Sequence, residues 1–276
     1  MTYMSYELVI EAGRTERQYW KDLWRYRELF LILTWRDVAV QYKQTVVGIL
    51  WAVLRPLLTM AAFTFVFGKV AKLPSEGVAP YPLMVFVAML PWQLFASAIA
   101  ATANSLVANS NLVSKVYFPR IIVPTATIGV AVVDFVISFV LLCGMMIWYQ
   151  YLPPVQILAV IPLTLLTAVV ALGPGLILCS LNVTYRDFRI IVPFITQFGL
   201  YISPVGFSSS IVPEKWKLLY ECNPMVGVID SFRWAILGTI EFPERAFSIS
   251  LVCACLFMLL GIKVFRRTER TFADVI

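Results

Sequence analysis

The stretch VVGILWAVLRPLLTMAAFTFVFG, residues 46–68, decides how the rest of the sequence is interpreted. It is almost entirely apolar, and as a helix it would reach roughly 35 Å, enough to cross a bilayer core of about 30 Å. Arg55 lies inside it, directly before Pro56, which removes a helical hydrogen bond and bends the helix. A charge at that depth costs about 2.5–3.5 kcal/mol, so Arg55 must face protein or water rather than lipid. The stretch therefore predicts a membrane span that lines an internal space.

The composition extends this interpretation to the whole chain. Its 276 residues are 60% hydrophobic and 14% charged, whereas soluble domains have about 25% charged residues. The chain has no histidine, which excludes histidine acid–base catalysis and histidine metal sites. Its five cysteines are scattered, and we interpret them as packing residues rather than as disulfide or zinc partners. We predict an all-α membrane protein with several spans.

The N-terminal segment, residues 1–45, is predicted to precede the first span on the cytoplasmic side. Its polar beginning is not typical of a cleavable signal peptide. Residues 20–35 place three tryptophans and several leucines among charged positions, which predicts an amphipathic helix lying in the membrane interface. The alternative is an ordinary amphipathic helix in water.

Six apolar stretches define the transmembrane domain, residues 46–264. We predict spans at about 46–68, 81–107, 121–149, 155–181, 190–207 and 246–264. The fourth contains Gly173-Pro174-Gly175, which predicts an irregularity in that helix. Between the last two spans, residues 208–245 hold two apolar pieces too short to cross, which predicts re-entrant helices. Residues 265–276 form a charged tail that we place in the cytoplasm.

The distribution of basic residues gives the orientation. Fifteen of the 22 Lys and Arg residues fall on the side of the termini, six on the opposite side, and Arg55 lies within a span. Because basic residues remain in the cytoplasm, both termini are predicted to be cytoplasmic. The formal net charge of +6 is explained by this topology, so we expect no nucleic-acid partner.

Two kinds of chemistry are missing from the sequence. No P-loop pattern occurs, since the only Gly-Lys pair, Gly68-Lys69, is followed by Val70. The spans hold no carboxylate cluster of the kind used by proton-coupled carriers or intramembrane enzymes, because Asp134 stands alone. Asp134 is expected either to have a functional role, to bond another helix or to pair with Arg55.

Two faces of the predicted spans carry candidate lining residues. Side chains four apart share one face of a helix. Aromatic faces can stack on sugar rings, although lipid contact or core packing is the alternative. The candidates are Trp51, Arg55, Thr59, Phe63 and Phe67 on the first span, and Gln197, Phe198 and Tyr201 on the fifth.

Five motifs in order resemble a known family. They are W-R-D-x-x-x-x-Y-K-Q-T-x-x-G-x-x-W-A-x-x-R-P-L (35–57), N-L-V-S-K-V-Y-F-P-R (111–120), Y-R-D-F (185–188), N-P-M (223–225) and F-A-D-V-I (272–276). Together they resemble the membrane subunits of ABC transporters that export polysaccharides, in particular the O-antigen and teichoic-acid permeases. The resemblance extends from about Glu11 to Ile276.

This resemblance implies a homodimer of the chain with two separate ATPase subunits, in the inner membrane. It implies that lipid-linked glycan passes a channel lined by the first and fifth spans. The chain itself is then no enzyme and has no cofactor, since ATP and Mg are bound by the ATPase. Residues 108–120 would be the helix that docks on it. The implied contact residues are Asn111, Lys115, Tyr117, Arg120, Arg186 and Asp187.

Two other functions stay open on the sequence. An ABC exporter of a small lipid or drug would have the same span pattern. A membrane-embedded transferase would need a polar catalytic cluster, and only Arg186, Asp187 and Arg189 come close to one.

Overall fold

The computed structural model describes residues 16–43, 46–185, 187–269 and 272, and all regular structure within these ranges is helical. The all-α prediction is therefore confirmed for this part of the chain. The α-helices are α1 Glu16–Arg25, α2 Arg27–Lys43, α3 Val46–Phe63, α4 Tyr81–Ala108, α5 Ser110–Lys115, α6 Ile122–Ala126, α7 Ile128–Trp148, α8 Val160–Thr184, α9 Phe188–Ile202, α10 Glu214–Glu221, α11 Pro224–Leu237 and α12 Glu244–Glu269. A π-helix, Thr64–Val70, continues α3, and short 3₁₀ turns cover Val155–Ala159 and Ser209–Ile211.

Within the described ranges, five segments are long and apolar enough to cross a membrane. They are Leu50–Val70, Tyr81–Ala108, Ile122–Trp148, Val155–Thr184 and Glu244–Glu269. They coincide with five of the six predicted spans. The remaining one, 190–207, corresponds to α9, whose 15 residues reach only about 22 Å. The six-span arrangement therefore stays a prediction.

The helix α4 lies at the centre of the fold, packed between α7, α8, α9 and α11. Its most apolar part is 72% buried, because a helix that is apolar on all sides is covered on all sides. The larger core cluster surrounds it. A smaller cluster, which contains Leu33, Phe118, Phe265 and Phe272, lies where α5 and α6 meet the ends of α8 and α12.

α8 stays helical through Pro174, so the chain has no break at residues 173–175, and the predicted irregularity within the helix stays a prediction. The two flanking glycines serve close packing. A Cβ on Gly173 would lie 2.6 Å from the backbone of Phe257 on α12, and one on Gly175 would lie 2.9 Å from Thr102 on α4. Small residues let helices approach closely within a membrane, where dispersion contacts drive their association.

The predicted N-terminal helix is divided at Tyr26 into α1 and α2. Its apolar residues are also divided: Leu23 and Phe30 pack against the smaller core cluster, whereas Trp20 and Trp24 are exposed. Such exposed tryptophans are typical of an interfacial helix, and the interfacial position itself stays a prediction.

After α9 the chain folds back in short elements. The 8 residues of α10 and the 14 of α11 are too few to span, as predicted. Asn223 begins α11: its Oδ1 accepts from the Met225 N–H at 3.0 Å, and its Nδ2 donates to Ser203 at 3.0 Å. Nearly every residue of α11 is buried. This enclosure supports a re-entrant segment, whose depth in the membrane stays a prediction.

Candidate functional site

The helix α3 is largely uncovered by the rest of the chain, since only 11% of its span is buried. Trp51 is 57% exposed, and Arg55 is exposed beside it. No ion pair of Arg55 occurs among the described residues, although its carbonyl accepts from Thr59 at 2.9 Å. The beginning of the predicted lining face is thus an open surface with one unneutralised charge.

The helix α9 has one packed side and one open side. Its packed side meets α4, where a Cβ on Gly199 would lie 2.7 Å from the Trp92 ring. The open side carries the predicted residues Gln197 and Phe198, with Phe198 stacked on Phe194 at 5.7 Å. α9 therefore presents aromatic rings and an amide on a surface that this chain does not cover.

The two predicted faces meet at one end. Phe63 stacks on Tyr201 with ring centroids 6.0 Å apart, and Phe67 lies 5.4 Å from Phe63. Phe63 is buried, whereas Tyr201 is 57% exposed. The two helices thus form one continuous surface within a protomer, with the rings joining them.

Asp134 is bonded to α2 rather than to Arg55. Its carboxylate accepts from the Tyr42 hydroxyl and from Gln41 Nε2, the latter at 3.2 Å. Burial, together with this carboxylate, raises the pKa of Tyr42 above its ordinary value, which keeps the hydroxyl protonated as a donor. Of the expected alternatives, the structure contains the bond between helices.

The segment predicted to dock on an ATPase has both buried and exposed residues. Val113 and Phe118 are buried in the smaller core cluster, whereas Asn111, Lys115 and Tyr117 are exposed. Alternating anchor and surface residues of this kind give the segment a fixed position and a free outer face.

Hydrogen bonds hold the segment at both ends. At its beginning, Arg36 of α2 donates to Asn109 at 2.7 Å. At its end, the carboxylate of Glu269 accepts from the Arg120 N–H at 2.8 Å and from the Tyr19 hydroxyl at 3.2 Å. The Arg120 guanidinium donates to the Glu269 carbonyl at 2.6 Å. Arg120 thus points toward its own chain, and its predicted ATPase contact stays untested.

Of the remaining predicted contact residues, only Asp187 is described, and it directly precedes α9. Asp187 is exposed, and Arg186 lies outside the described residues. Arg189 is also exposed. In the described part of the chain, no group of three or more acidic, cysteine or histidine side chains could hold a metal ion.

A buried charge cluster escaped the sequence analysis. Arg233 is completely buried, with Glu76 and Asp230 beside it. Burial raises the pKa of Asp230 to about 6, although Arg233 acts in the opposite direction. The available signal was an acidic and a basic residue three apart within an otherwise apolar helix, a spacing that puts both on one side.

Similar proteins cover nearly the whole chain. The O-antigen export system permease protein RfbA of Klebsiella pneumoniae is 26% identical over 250 residues, 90% of this chain and 95% of that protein. RfbA of Myxococcus xanthus is 27% identical over 259 residues, 93% of this chain and 98% of that protein. The capsule polysaccharide export inner-membrane protein CtrC of Neisseria meningitidis serogroup A is 24% identical over 245 residues, 86% of this chain and 90% of that protein.

The profile of one family, described as ABC-2 type transporter, matches residues 28–237. This range includes α3, the central α4, the short α5 and the buried α11. With its apolar helices and with the match over most of its length, the chain belongs to the ABC-2 type transporter family, whose members are transport permeases rather than enzymes.

Proposed function

We propose that this chain is the membrane-spanning permease subunit of an ATP-driven ABC exporter. Its cargo is lipid-linked polysaccharide, O-antigen or a similar surface glycan, which crosses the cytoplasmic membrane. The observation that carries the proposal is the uncovered surface of α3 and α9, with aromatic rings and one charge. Rings give weak, repeated contacts to sugars, so a long polymer slides past them. The printed names of the relatives support this cargo.

The functional unit is a homodimer. Arg55 is unfavourable against lipid, and the α3 surface around it is uncovered. A second copy facing this surface encloses a pathway walled by α3 and α9 of both protomers. In this arrangement α9 and the residues after it complete a sixth crossing, and both termini are cytoplasmic.

Two separate ATPase subunits bind ATP and Mg and drive transport. The chain has no P-loop of its own, and α5 presents Asn111, Lys115 and Tyr117 outward. Arg36 of α2 and Glu269 of α12 bond to the two ends of this segment. A movement of the segment is therefore transmitted to α2 and α12. Asp187 and Arg186 belong to the same cytoplasmic contact surface.

Deletion of the gene tests the cargo. Surface glycan is expected to disappear, lipid-linked glycan is expected to accumulate inside the cell, and a plasmid copy restores export. Glycan on a gel and lipid-linked intermediate in membrane extracts are the two measurements. Unchanged surface glycan in the deletion strain contradicts the polysaccharide assignment.

Bulky substitutions test the wall. Thr59→Trp and Gln197→Trp are each expected to block export of the polymer, because the indole occupies the pathway. Leu165→Trp and Leu259→Trp place the same bulk on exposed positions of α8 and α12, and they serve as controls. Surface glycan amount and chain length are compared at equal protein abundance. If the Thr59→Trp and Gln197→Trp variants export normally while the two control variants lose export, the assignment of the wall to α3 and α9 is contradicted.

Cross-linking tests the ATPase contact. A bifunctional reagent on an Asn111→Cys variant is expected to cross-link to the ATPase. In a Lys115→Glu variant, ATP hydrolysis is expected to continue without export. Lys215→Glu reverses an exposed charge on α10 and is the matched control. An assembled complex without any cross-link from position 111 contradicts this docking surface.

A further inference from the structure

We infer that Glu76, Asp230 and Arg233, here called the Arg233 clamp, hold the adjoining ends of α3 and α9 as one unit within a protomer. The pathway then widens by a change in the distance between the two protomers, whereas the distance between α3 and α9 of one protomer stays constant. This inference rests on the proposed function, which makes these two helices the walls.

The contacts of Arg233 reach two separate segments. Its Nη1 lies 3.0 Å from Glu76 Oε1 and 3.7 Å from Asp230 Oδ1. Its Nη2 donates to the Phe207 carbonyl at 3.1 Å, with Val205 O at 3.5 Å. A planar guanidinium has donors on several sides, so it can hold a carboxylate and carbonyl groups at the same time.

The two segments are the continuations of the proposed wall helices. Glu76 lies in the loop that follows the π-helix Thr64–Val70, which prolongs α3. Residues 203–207 directly follow α9. If the loop that contains Glu76 left, the buried guanidinium would keep only the longer contact to Asp230. If residues 203–207 left, Nη2 would lose its carbonyl acceptors, and a buried donor without an acceptor costs about 1–3 kcal/mol. α11 therefore acts as the common anchor for both.

A second set of contacts joins the same ends of α3 and α9. A Cβ on Gly206 would lie 2.6 Å from the ring of Phe67 and 2.8 Å from that of Phe63. The Tyr81 hydroxyl donates to the Gly206 carbonyl. A larger side chain at this position would have to displace one of the two rings, so the chain after α9 and the α3 segment are in close contact.

Among the described side chains, the opposite parts of the two helices show no such contacts with each other. Trp51 near the beginning of α3 and Ile190 near the beginning of α9 are both exposed. Each protomer thus has its wall helices fixed to each other at one end and uncovered at the other. The Arg233 clamp therefore fixes the spacing of α3 and α9 at the end where it lies.

Charge removal tests the clamp. Glu76→Gln keeps the shape of the side chain but removes the charge beside Arg233. Glu214→Gln is the control, since Glu214 pairs with Lys217 at 3.0 Å within α10 and lies outside the Arg233 clamp. At equal abundance, Glu76→Gln is expected to lower glycan exported per ATP hydrolysed about fivefold, while the control stays within about twofold. Equal ratios in the two variants overturn the inference.

A disulfide lock provides a second, independent measurement. A phenylalanine Cδ is two bonds from its Cβ, so the Cβ positions of residues 67 and 206 lie close enough to be bridged. In a Phe67→Cys, Gly206→Cys double variant, export is compared before and after oxidation with copper phenanthroline. The same treatment of the wild-type chain controls for its five native cysteines. Undiminished export after full bridging supports the clamp, whereas a loss that dithiothreitol reverses overturns it.

Parallel measurements distinguish a failure of the clamp from a failure of the proposed function. The deletion strain and its wild-type complement are measured in parallel. Persistence of surface glycan in the deletion strain overturns the polysaccharide assignment. Loss and restoration of glycan there, combined with inactivation by the bridge, overturns the clamp alone. If the double variant exports nothing when reduced, the comparison of Glu76→Gln with Glu214→Gln decides.

Discussion

The crossing of α8 and α12 should not tolerate a single added methyl group. A Cβ on Gly173 would lie 2.6 Å from the Phe257 carbonyl carbon and 2.7 Å from the Met258 nitrogen. In the other direction, a Cβ on Gly261 would lie 2.4 Å from the Gly173 oxygen. Carbon atoms in contact are about 3.5–4.0 Å apart, so Gly173→Ala forces the helices apart by about 1 Å. The atoms that it meets are backbone and cannot rotate away.

Two opposing effects determine how much Gly173→Ala changes the free energy of unfolding. Overpacking typically costs about 1–3 kcal/mol, and a gap of about 0.5–1 Å forfeits a quarter to a half of each dispersion contact along the crossing. Alanine in place of glycine within a helix returns only about 0.5–1 kcal/mol. We therefore expect Gly173→Ala to destabilise the fold by about 2 kcal/mol.

Gly144 on α7 provides the matched control, because a Cβ there meets no atom within 4 Å. Gly144→Ala gains the same helix preference without a clash, so its stability should equal or slightly exceed that of the wild type. The assay is the midpoint of heat-induced loss of the monodisperse peak in size-exclusion chromatography of the detergent-solubilised protein. We expect the Gly173→Ala midpoint to fall by roughly 4–8 °C relative to the control. Midpoints within about 2 °C of each other would refute the reasoning.

Three further predictions concern the charged and aromatic contacts. Because the folded pKa of Asp230, about 6, lies above its ordinary 3.8, the folded state holds the extra proton, and stability should fall as pH rises from about 4 to 6. Asp230→Asn should flatten that decline in melting curves by up to about 3 kcal/mol. Phe63→Ala and Tyr201→Ala should each reduce surface glycan modestly. The reduction in the double variant should be smaller than the two single reductions multiplied together, since either change already removes the stacking of the two rings. Glu269→Ala leaves the Arg120 N–H without its acceptor and should lower glycan exported per ATP at least twofold, whereas Glu269→Gln, which keeps an acceptor there, should not.

The positions of five spans could be predicted because they depend on local apolar length alone. The end of α9 could not be predicted in the same way. The apolar run continues past Ile202, but the chain leaves the helix at a point where Arg233 and Tyr81 bond to the carbonyl groups that follow. Those donors lie far away in the sequence, so hydrophobicity carries no information about them.

The same limit explains the polar contacts of the candidate site. The sequence identified Asp134 as an intramembrane charge and offered several partners, but the choice of Tyr42 follows from how α2 packs against α7. For Gly173-Pro174-Gly175 the local composition suggested an irregularity, whereas the structure shows a helix that continues and gives each glycine a close neighbour on α12 or α4. Composition indicates which residues are unusual, and only the packing determines what each one contacts.

The bonding of Asp134 has a consequence for the surface on which Arg55 lies. Once the carboxylate is held by Tyr42 and Gln41, no acidic partner for Arg55 remains among the ion pairs of the described chain. An exposed guanidinium at that depth is unfavourable against lipid by about 2.5–3.5 kcal/mol, and water or a second protein surface removes this cost. This cost supports the proposal that the uncovered face of α3 meets water or a second protein surface, even though most of its residues are apolar. A single charge on an otherwise apolar helix thus favours the pathway interpretation over lipid contact more strongly than the aromatic residues around it do.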